Sequence, residues 1–578
     1  MKNYPLYPSS SYVNMRELVD DIEKKYSDSV AYSFRIRPND AVVQKKSYKD
    51  LADDVRAFAT SALSHGVYGT HAALIGKLSY GWVVSYLALL SVGVTVVPLD
   101  AEWNPAELAE TARAAQCKSL FCSGEVMKKA GKEISARIAP SISVIIDNYT
   151  FAEENSTSES GYTLSSMIEE GRTLIDGGDT SYYDSRISPD ALSLLVFTSG
   201  TTGKGKGVML SQTAILSDVS SGLKLINISE KEYKKTVGVL PPHHTFGSTI
   251  GILGNLICGA ETYVSSGLRY LQRELKEQSP SHLILVPLYL ETFEKKIIDT
   301  ARSSGREKML RRLMSIGRTV SRTGLDLRRQ LFEGVLDVFG GRLDLVISGG
   351  APLTQATQKF FESLGITVIN GYGITECAPL ISSNRNRWQK SGSVGLCIPG
   401  SHIRIKNPDE QGDGEICFKG SNVMMGYYND PEATESAFDN DGYFKTGDYG
   451  KLDGDGFLYI TGRLKNLIIL SNGKNVYPEE IEADISSIPG IEDVVVYEGI
   501  DKKGLRADTI VAEIFPSAEF LASEGITDAK EYFHRHITEY NKRAVPYKKI
   551  GVIKIRDTEF PKNTLRKIMR YKLDKTFE

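Results

Sequence analysis

Sulfur and indole are scarce in this chain of 578 residues, which holds six cysteines and three tryptophans. No two of Cys117, Cys122, Cys258, Cys377, Cys397 and Cys417 form a C-x-x-C pair. That spacing argues against a zinc ribbon, a thioredoxin-type redox motif or a disulfide framework, and reduced thiols in a cytosolic protein are the expectation. A dominant charge is also missing: 69 Lys and Arg against 72 Asp and Glu leave a formal net charge of -3. A general nucleic-acid binder would be basic. Long apolar runs are absent too. The most apolar stretch, 82–98, is interrupted by Ser85, Ser91, Gly93 and Thr95 and is short for a membrane span. It reads as a buried helix over 80–90 running into a strand over 94–97. The opening residues, Met1-Lys-Asn-Tyr-Pro-Leu-Tyr-Pro8, are neither basic nor apolar enough for a secretory signal. What remains is a globular composition, 41% hydrophobic and 24% charged, on a chain long enough for more than one domain.

What is present is concentrated first in one loop. An apolar run over 191–197, short enough for a buried strand, leads into Thr198-Ser-Gly-Thr-Thr-Gly-Lys-Gly-Lys-Gly207, which holds four hydroxyls, four glycines and two lysines. Ser211 then stands where a helix cap would stand. Strand, glycine loop and helix together predict a phosphate cradle, with backbone N–H groups, hydroxyls and a lysine facing the oxygens. The nucleotide P-loop pattern fits from Gly200 to Lys206 but fails at Gly207, where a magnesium-binding hydroxyl should follow.

The pattern T-S-G-T-T-G-x-x-K-G resembles instead the signature of the adenylate-forming superfamily: acyl-CoA synthetases, adenylation domains and luciferases. Gly205 departs from the proline usual there and is expected to loosen the loop. Further segments carry the same resemblance in order. They are Pro241-Pro-His-His-Thr-Phe-Gly247, Ser348-Gly-Gly-Ala-Pro352, Asn370-Gly-Tyr-Gly-Ile-Thr-Glu376, Thr446-Gly-Asp448, Gly462-Arg-Leu-Lys465 and Pro561-Lys-Asn-Thr-Leu-Arg-Lys567. At Arg566 the family usually has glycine.

The resemblance, most like bacterial long-chain fatty acyl-CoA synthetases, covers about residues 30–570 and implies roles for named positions. ATP or AMP would be held by Thr198, Ser199, Gly200, Thr201, Thr202, Lys206, Gly350, Ala351, Asn370, Gly371, Tyr372, Gly373, Thr375, Glu376, Asp448, Arg463 and Lys567. Among these, Lys567, Glu376, Thr198 and Lys206 would be catalytic, and Glu376 with Thr198 would hold Mg2+. The acyl group would lie against His244, Phe246, Gly247, Gly251, Gly350 and Ala351. For His244, a buried histidine satisfied by backbone is the competing reading. Gly473 would line the CoA tunnel, and Lys465 would be a hinge. Gly247, Gly251 and Gly254 would share one face if their stretch is an α-helix.

The implied fold is α/β: a large N-terminal domain (1–464) of helix-covered, mainly parallel sheets plus a distorted β-barrel, then a small mobile α+β domain (465–578). From the residues themselves, alternating helical and strand patterns up to about 190 imply the parallel sheet. Short strands and Gly/Asp turns follow from 394, and 148–182 reads as exposed loop. The implied activity is ATP-dependent conversion of a fatty acid to acyl-AMP, then transfer to CoA. The implied cofactors are ATP, Mg2+ and CoA. An acyl-AMP ligase loading an acyl carrier protein is the alternative. A non-catalytic nucleotide-binding regulator would lack the lysine or the glutamate, and both are present.

One segment stands outside these motifs. Between Lys295 and Arg329 eleven cations face three anions. Such a run is either a solvated face or a surface for anionic lipid. The corresponding expectation is a cytoplasmic protein with peripheral contact at the inner membrane surface.

Overall fold

The structure is a computed structural model that describes residues 4–147, 162–198, 205–228, 233–321, 323–471, 474–502, 506–562 and 568–577. The backbone forms two compact units, one of residues 2–402 and 419–438, the other of 403–418 and 439–578.

The first unit is built on three sheets. The largest has strands in the order 426–427, 206–211, 192–198, 95–99, 71–75, 117–122, 142–145 and 162–163. All neighbours from 192–198 onward are parallel, whereas Lys206–Ser211 runs antiparallel to Leu192–Thr198. The inner strand Thr95–Leu99 is buried along its whole length, which is why it reads as a continuous apolar run instead of an alternation. Helix Tyr80–Ser91 is buried at all twelve positions and capped by the Ser79 side chain, which accepts from the Trp82 amide. That accounts for the apolar 82–98 stretch without a membrane. A second sheet orders strands 235–238, 261–264, 30–34 and 44–47. In the third, His282–Leu285, Leu345–Ser348 and Thr367–Gly373 run parallel, then Leu380–Ser383 and Gly395–Cys397 antiparallel.

The second unit contains antiparallel neighbours Gly414–Lys419, Phe444–Leu452 and Phe457–Arg463. Its C-terminal part sets three strands, Ile491–Ile500, Arg506–Pro516 and Ile550–Ile555, beside helices Pro478–Ile485 and Ala529–Arg543. Ile481, Ile485, Val496, Ile510, Ile537 and Tyr540 share its core. The α/β class expected from the sequence is the one found, with helix-covered parallel strands first and a small α+β portion last.

Two local expectations fail. Residues 162–182 are not exposed loop: Leu164–Asp176 is a helix with a capping box at Thr163 and Ser166, and Leu164, Met167 and Ile168 are buried. Its Gly171 lies so close to helix Tyr48–Ser64 that a Cβ there would sit 1.8 Å from the Ala57 carbonyl oxygen. Serine, threonine and glutamate dominate the segment's composition and hide this narrow apolar stripe. The other failure lies at the glycine loop. The strand before it is followed not by a helix but by a second strand, Lys206–Ser211, and only then by helix Gln212–Leu225. Ser211 does cap that helix, accepting from the Ala214 amide. A six-residue strand spans about 20 Å, so the N-terminus of helix Gln212–Leu225 stands away from the Lys206 end of that strand.

Candidate active site

Strand Leu192–Thr198 and its antiparallel partner bring Thr198 opposite Lys206. Ser199, Gly200, Thr201 and Thr202 lie outside the described residues. Gly205 is tighter than expected: a Cβ there would fall 2.5 Å from the Thr198 carbonyl oxygen. Its lack of a side chain lets the two strand ends close together, a role the expectation of a looser loop did not include.

Short strand Gly426–Tyr427 pairs with Lys206–Ser211, placing Tyr427 beside Val208. The Lys206 ammonium lies 4.5 Å from the centroid of the Tyr427 ring. The Tyr427 hydroxyl donates to Glu376 Oε1 at 3.0 Å. Burial, then the neighbouring Glu376 charge, push the Tyr427 phenol above its usual range, so it stays a donor. Lys206 and Glu376, 170 positions apart in sequence, are thus joined through one phenol ring. Tyr427 escaped the sequence reading because nothing in Met424-Met-Gly-Tyr427 marks chemistry; only the strand pairing does.

Glu376 sits in a tight turn, Thr375–Cys377, at the end of strand Thr367–Gly373. The Met424 amide donates to the Glu376 carbonyl at 2.8 Å, and the Ile374 amide to Pro379 at 2.8 Å. Ala378 takes a left-handed backbone, φ 62°, which disfavours any residue but glycine. The turn is therefore held by its surroundings, not by local preference. Ser348 pairs with Asn370, so Gly349, Gly350 and Ala351 leave their strand next to Asn370, Gly371, Tyr372 and Gly373. Gly350 has φ +82°, and the Phe246 ring lies against Gly349 and Gly350. Phe246, expected at the acyl group, and Gly350, expected at both groups, do meet.

The Pro241–Gly247 stretch holds a second surprise. The buried histidine is His243, whose Nε2 lies 3.6 Å from Asp100 Oδ2. Burial pushes its pKa down to about 4. The His243 and His244 rings lie tilted at 44° with centroids 4.2 Å apart. Asp100 follows strand Thr95–Leu99, and the parallel pairing of Val96 with Leu194 continued four residues on sets it level with Thr198. Sequence pattern singled out His244 and missed its neighbour, because two adjacent histidines look alike until one is buried.

Residues 246–254 are π-helical rather than α-helical. In that wider turn Gly247 and Gly251 still share a face, and Gly254 leaves it. A Cβ on Gly247 would be 2.2 Å from the Pro241 carbonyl oxygen, one on Gly254 would touch Val219, and one on Gly251 would meet nothing closer than 3.6 Å. Gly247 and Gly251 both line a small cavity with Leu78, Leu240, Ile252 and Ile284, and of these two only Gly251 has room for a Cβ. The wider i→i+5 turn breaks the α-helical register that a spacing of seven relies on.

The second unit carries the remaining expected residues. Asp448 is buried and pairs across strands with Arg463, Arg Nε to Asp Oδ1 at 2.9 Å. The Asp448 amide donates to Thr446 Oγ1 at 3.1 Å. Lys465 is exposed in the turn Leu464–Asn466. Gly473 and Lys567 lie outside the described residues. The residues flanking Lys567 are anchored: Lys562 bridges to Ile568, and its ammonium contacts Asp493 at 2.7 Å and Glu559 at 2.8 Å. Arg570 pairs with the buried Glu482 carboxylate and donates to the Val496 carbonyl at 3.0 Å.

A buried hydrophobic scaffold carrying a hydroxyl- and lysine-bearing hairpin loop, with a glutamate tied to that lysine, is the arrangement of an adenylate-forming enzyme. The chain belongs to the AMP-binding enzyme family, whose sequence model matches residues 19–428. Among its relatives, a long-chain-fatty-acid–CoA ligase of Macaca fascicularis is 30% identical over 505 residues, covering 83% of this chain and 68% of that one. A long-chain-fatty-acid–CoA ligase of Mycobacterium bovis is 26% identical over 501 residues, covering 84% and 80%. The fold is shared with ATP-bound MatB from Rhodopseudomonas palustris, at TM-score 0.74 and 23% identity over 96% of this chain and 97% of that one. It is also shared with a Mycobacterium tuberculosis fatty acyl CoA synthetase, at TM-score 0.63 and 20% identity over 96% and 97%.

Proposed function

We propose that this protein is an AMP-forming acid–thiol ligase that activates medium- to long-chain fatty acids with ATP and transfers them to CoA. In the first half-reaction a fatty carboxylate attacks the α-phosphorus, forming acyl-AMP and releasing pyrophosphate. In the second, the CoA thiol attacks the acyl carbonyl and AMP leaves. The observation that carries this reading is the Lys206–Tyr427–Glu376 chain beside the glycine loop. A cation and a carboxylate held on one ring suit a polyphosphate and the hard metal that accompanies it.

The donors present fit Mg2+. Glu376 has one oxygen engaged by Tyr427 and a second for a metal, and Thr198 adds a hydroxyl. Magnesium takes one or two such ligands and fills the rest of its shell with phosphate oxygens and water. When bound it would neutralise charge on the phosphates. Thr198, Ser199, Gly200, Thr201, Thr202 and Lys206 hold the phosphates, and Thr375 touches the α-phosphate. Gly350, Ala351 and Asn370 to Gly373 frame adenine, and Asp448 with Arg463 holds the ribose. Lys567 stabilises charge in the first half-reaction only. The small domain, 465–578, moves about Lys465 between half-reactions, and Gly473 faces CoA in the second. His244, Phe246 and Gly251 bound the acyl group. Pyrophosphate release measured over fatty acids of increasing length, with and without CoA, tests the reading. Release on long acids and thioester formed only with CoA are expected. Pyrophosphate release with no thioester on CoA, but with the acyl group passing from acyl-AMP to the thiol of an acyl carrier protein as AMP leaves, would favour the carrier-loading alternative.

A membrane surface completes the proposal. Helices Pro287–Ser303 and Glu307–Ser321 carry most of the basic segment. Leu310 and Met314 face the core of the first unit. Of the described cations, Arg302, Arg311, Arg328 and Arg329 have acidic partners, and all four pairs lie near the surface, where such pairs contribute little. Lys308, Arg312 and Arg318 are exposed beside the exposed apolar side chains of Met309 and Ile316. Cations mixed with apolar groups on one helix face suit anionic lipid. Among the described residues no helix is long and apolar enough to cross a membrane, so the contact would be peripheral, at the inner surface for a cytoplasmic enzyme. Sedimentation with vesicles containing anionic lipid should show binding at low salt that weakens as salt rises. Its absence at low salt would leave the segment a solvated face.

A further inference from the structure

Asp218, on helix Gln212–Leu225, is fully buried and has no part in the chemistry set out above. Its Oδ1 accepts from the Leu380 amide at 2.9 Å and from Asn422 Nδ2 at 2.9 Å. Asn422 Nδ2 also reaches the carbonyls of Cys377 and Leu380, each at 2.7 Å. These contacts grip both ends of the segment 377–380, which closes the turn carrying Thr375 and Glu376. Asn422 lies two residues before Met424, whose amide holds the Glu376 carbonyl.

The polar inventory of this buried cluster is short by a proton. Asp218 Oδ2 and Asn422 Oδ1 are both buried, and neither meets a hydrogen-bond donor among the described residues. An ionised carboxylate with one oxygen bare in a closed interior is strongly unfavourable. Turning the Asn422 amide over does not help, because its oxygen would then face two carbonyls. Two accepted bonds already occupy Oδ1, so a proton on Oδ2 is the arrangement that leaves no charge bare. Burial, the largest influence, likewise holds this carboxyl well above the usual carboxylate range.

We infer that Asp218 is a positioning residue: a neutral carboxylic acid that, with Asn422, clamps the 377–380 segment and so aims Glu376 at the nucleotide's metal. The inference rests on the role proposed for Glu376. Its chemical content is that the site needs a hydrogen-bonding wedge here, not a charge.

Three variants test it. Asp218→Asn keeps the shape, an acceptor and a donor; Asp218→Ala removes both; Asn422→Ala cuts the clamp from the other side, should Asp218→Ala fail to fold. Two readouts are taken: the Mg2+ concentration for half-maximal pyrophosphate release, and hydrogen exchange at the Leu380 amide in the full chain. Asp218→Asn should match the native protein in both. Asp218→Ala and Asn422→Ala should raise the Mg2+ requirement about tenfold, and Asp218→Ala should release the Leu380 amide to exchange. An Asp218→Asn variant as defective as Asp218→Ala would overturn the neutral acid. Alanine variants that only melt earlier, with unchanged Mg2+ dependence, would overturn the positioning role. Should the native protein release no pyrophosphate on any fatty acid, the functional reading fails, while the Leu380 exchange still reports on the clamp independently.

Discussion

Replacing Lys567 with alanine should lower pyrophosphate release from ATP and fatty acid by about 10²–10³-fold, the usual cost of one preorganised charge-stabilising donor. Thioester formation from supplied acyl-AMP and CoA should stay within about threefold of the native rate, because that step does not use the lost interaction. The expectation follows from the role proposed for Lys567, in one half-reaction and not the other. The flanking anchors at Lys562 and Arg570 do not involve Lys567, so the variant should keep its fold. Stopped assays of each half-reaction, run on the same preparation, make the comparison. Equal losses in both would sink the alternating role and leave Lys567 as a general electrostatic residue.

Gly251→Trp should shorten the preferred fatty acid. Of the two glycines of the π-helical stretch that line the cavity, Gly247 and Gly251, only Gly251 leaves room for a side chain. An indole there would fill space that an alkyl chain would otherwise take. Each methylene denied burial costs about 0.8 kcal/mol, close to fourfold in affinity. Losing room for several methylenes should therefore depress kcat/KM for long acids by about two to three orders of magnitude, with short acids little changed. Gly247→Ala is the contrasting variant. Its Cβ would meet the Pro241 carbonyl oxygen at 2.2 Å, so it should lower Tm without moving chain-length preference. A Gly251→Trp protein that unfolds, or that keeps its long-chain preference, would place the acyl group elsewhere.

The candidate site could be proposed from the sequence because its motifs are contiguous and their local chemistry is self-contained. Glycines and hydroxyls from Thr198 to Gly207, a carboxylate at Glu376 and an aspartate at Asp448 each state their chemistry in a few residues. The helix over 80–90 and the strand over 94–97 were legible for a similar reason, since burial on every side writes itself into the sequence as a continuous apolar run. The units that the chain packs into are another matter. Residues 419–438 join the first unit and 439 onward the second, and no composition shift marks that return.

What only the tertiary structure decided depends on contacts between segments far apart in the chain. Tyr427 became part of the site through its strand pairing with Val208. His243, not His244, proved to be the deeply buried member of its pair, with Asp100 beside it. The helix over 164–176 was hidden because a few apolar residues suffice when a glycine allows close approach. The π-helical winding of 246–254 moved Gly254 off the face an α-helical period would give it, because the packing imposed a wider turn. By itself the sequence determined the chemistry available, because side-chain identity sets what each group can donate, accept or charge. Which groups meet was decided by the fold, because hydrogen bonds and ion pairs form only over a few ångströms, and only folding brings residues so distant in the chain within that range.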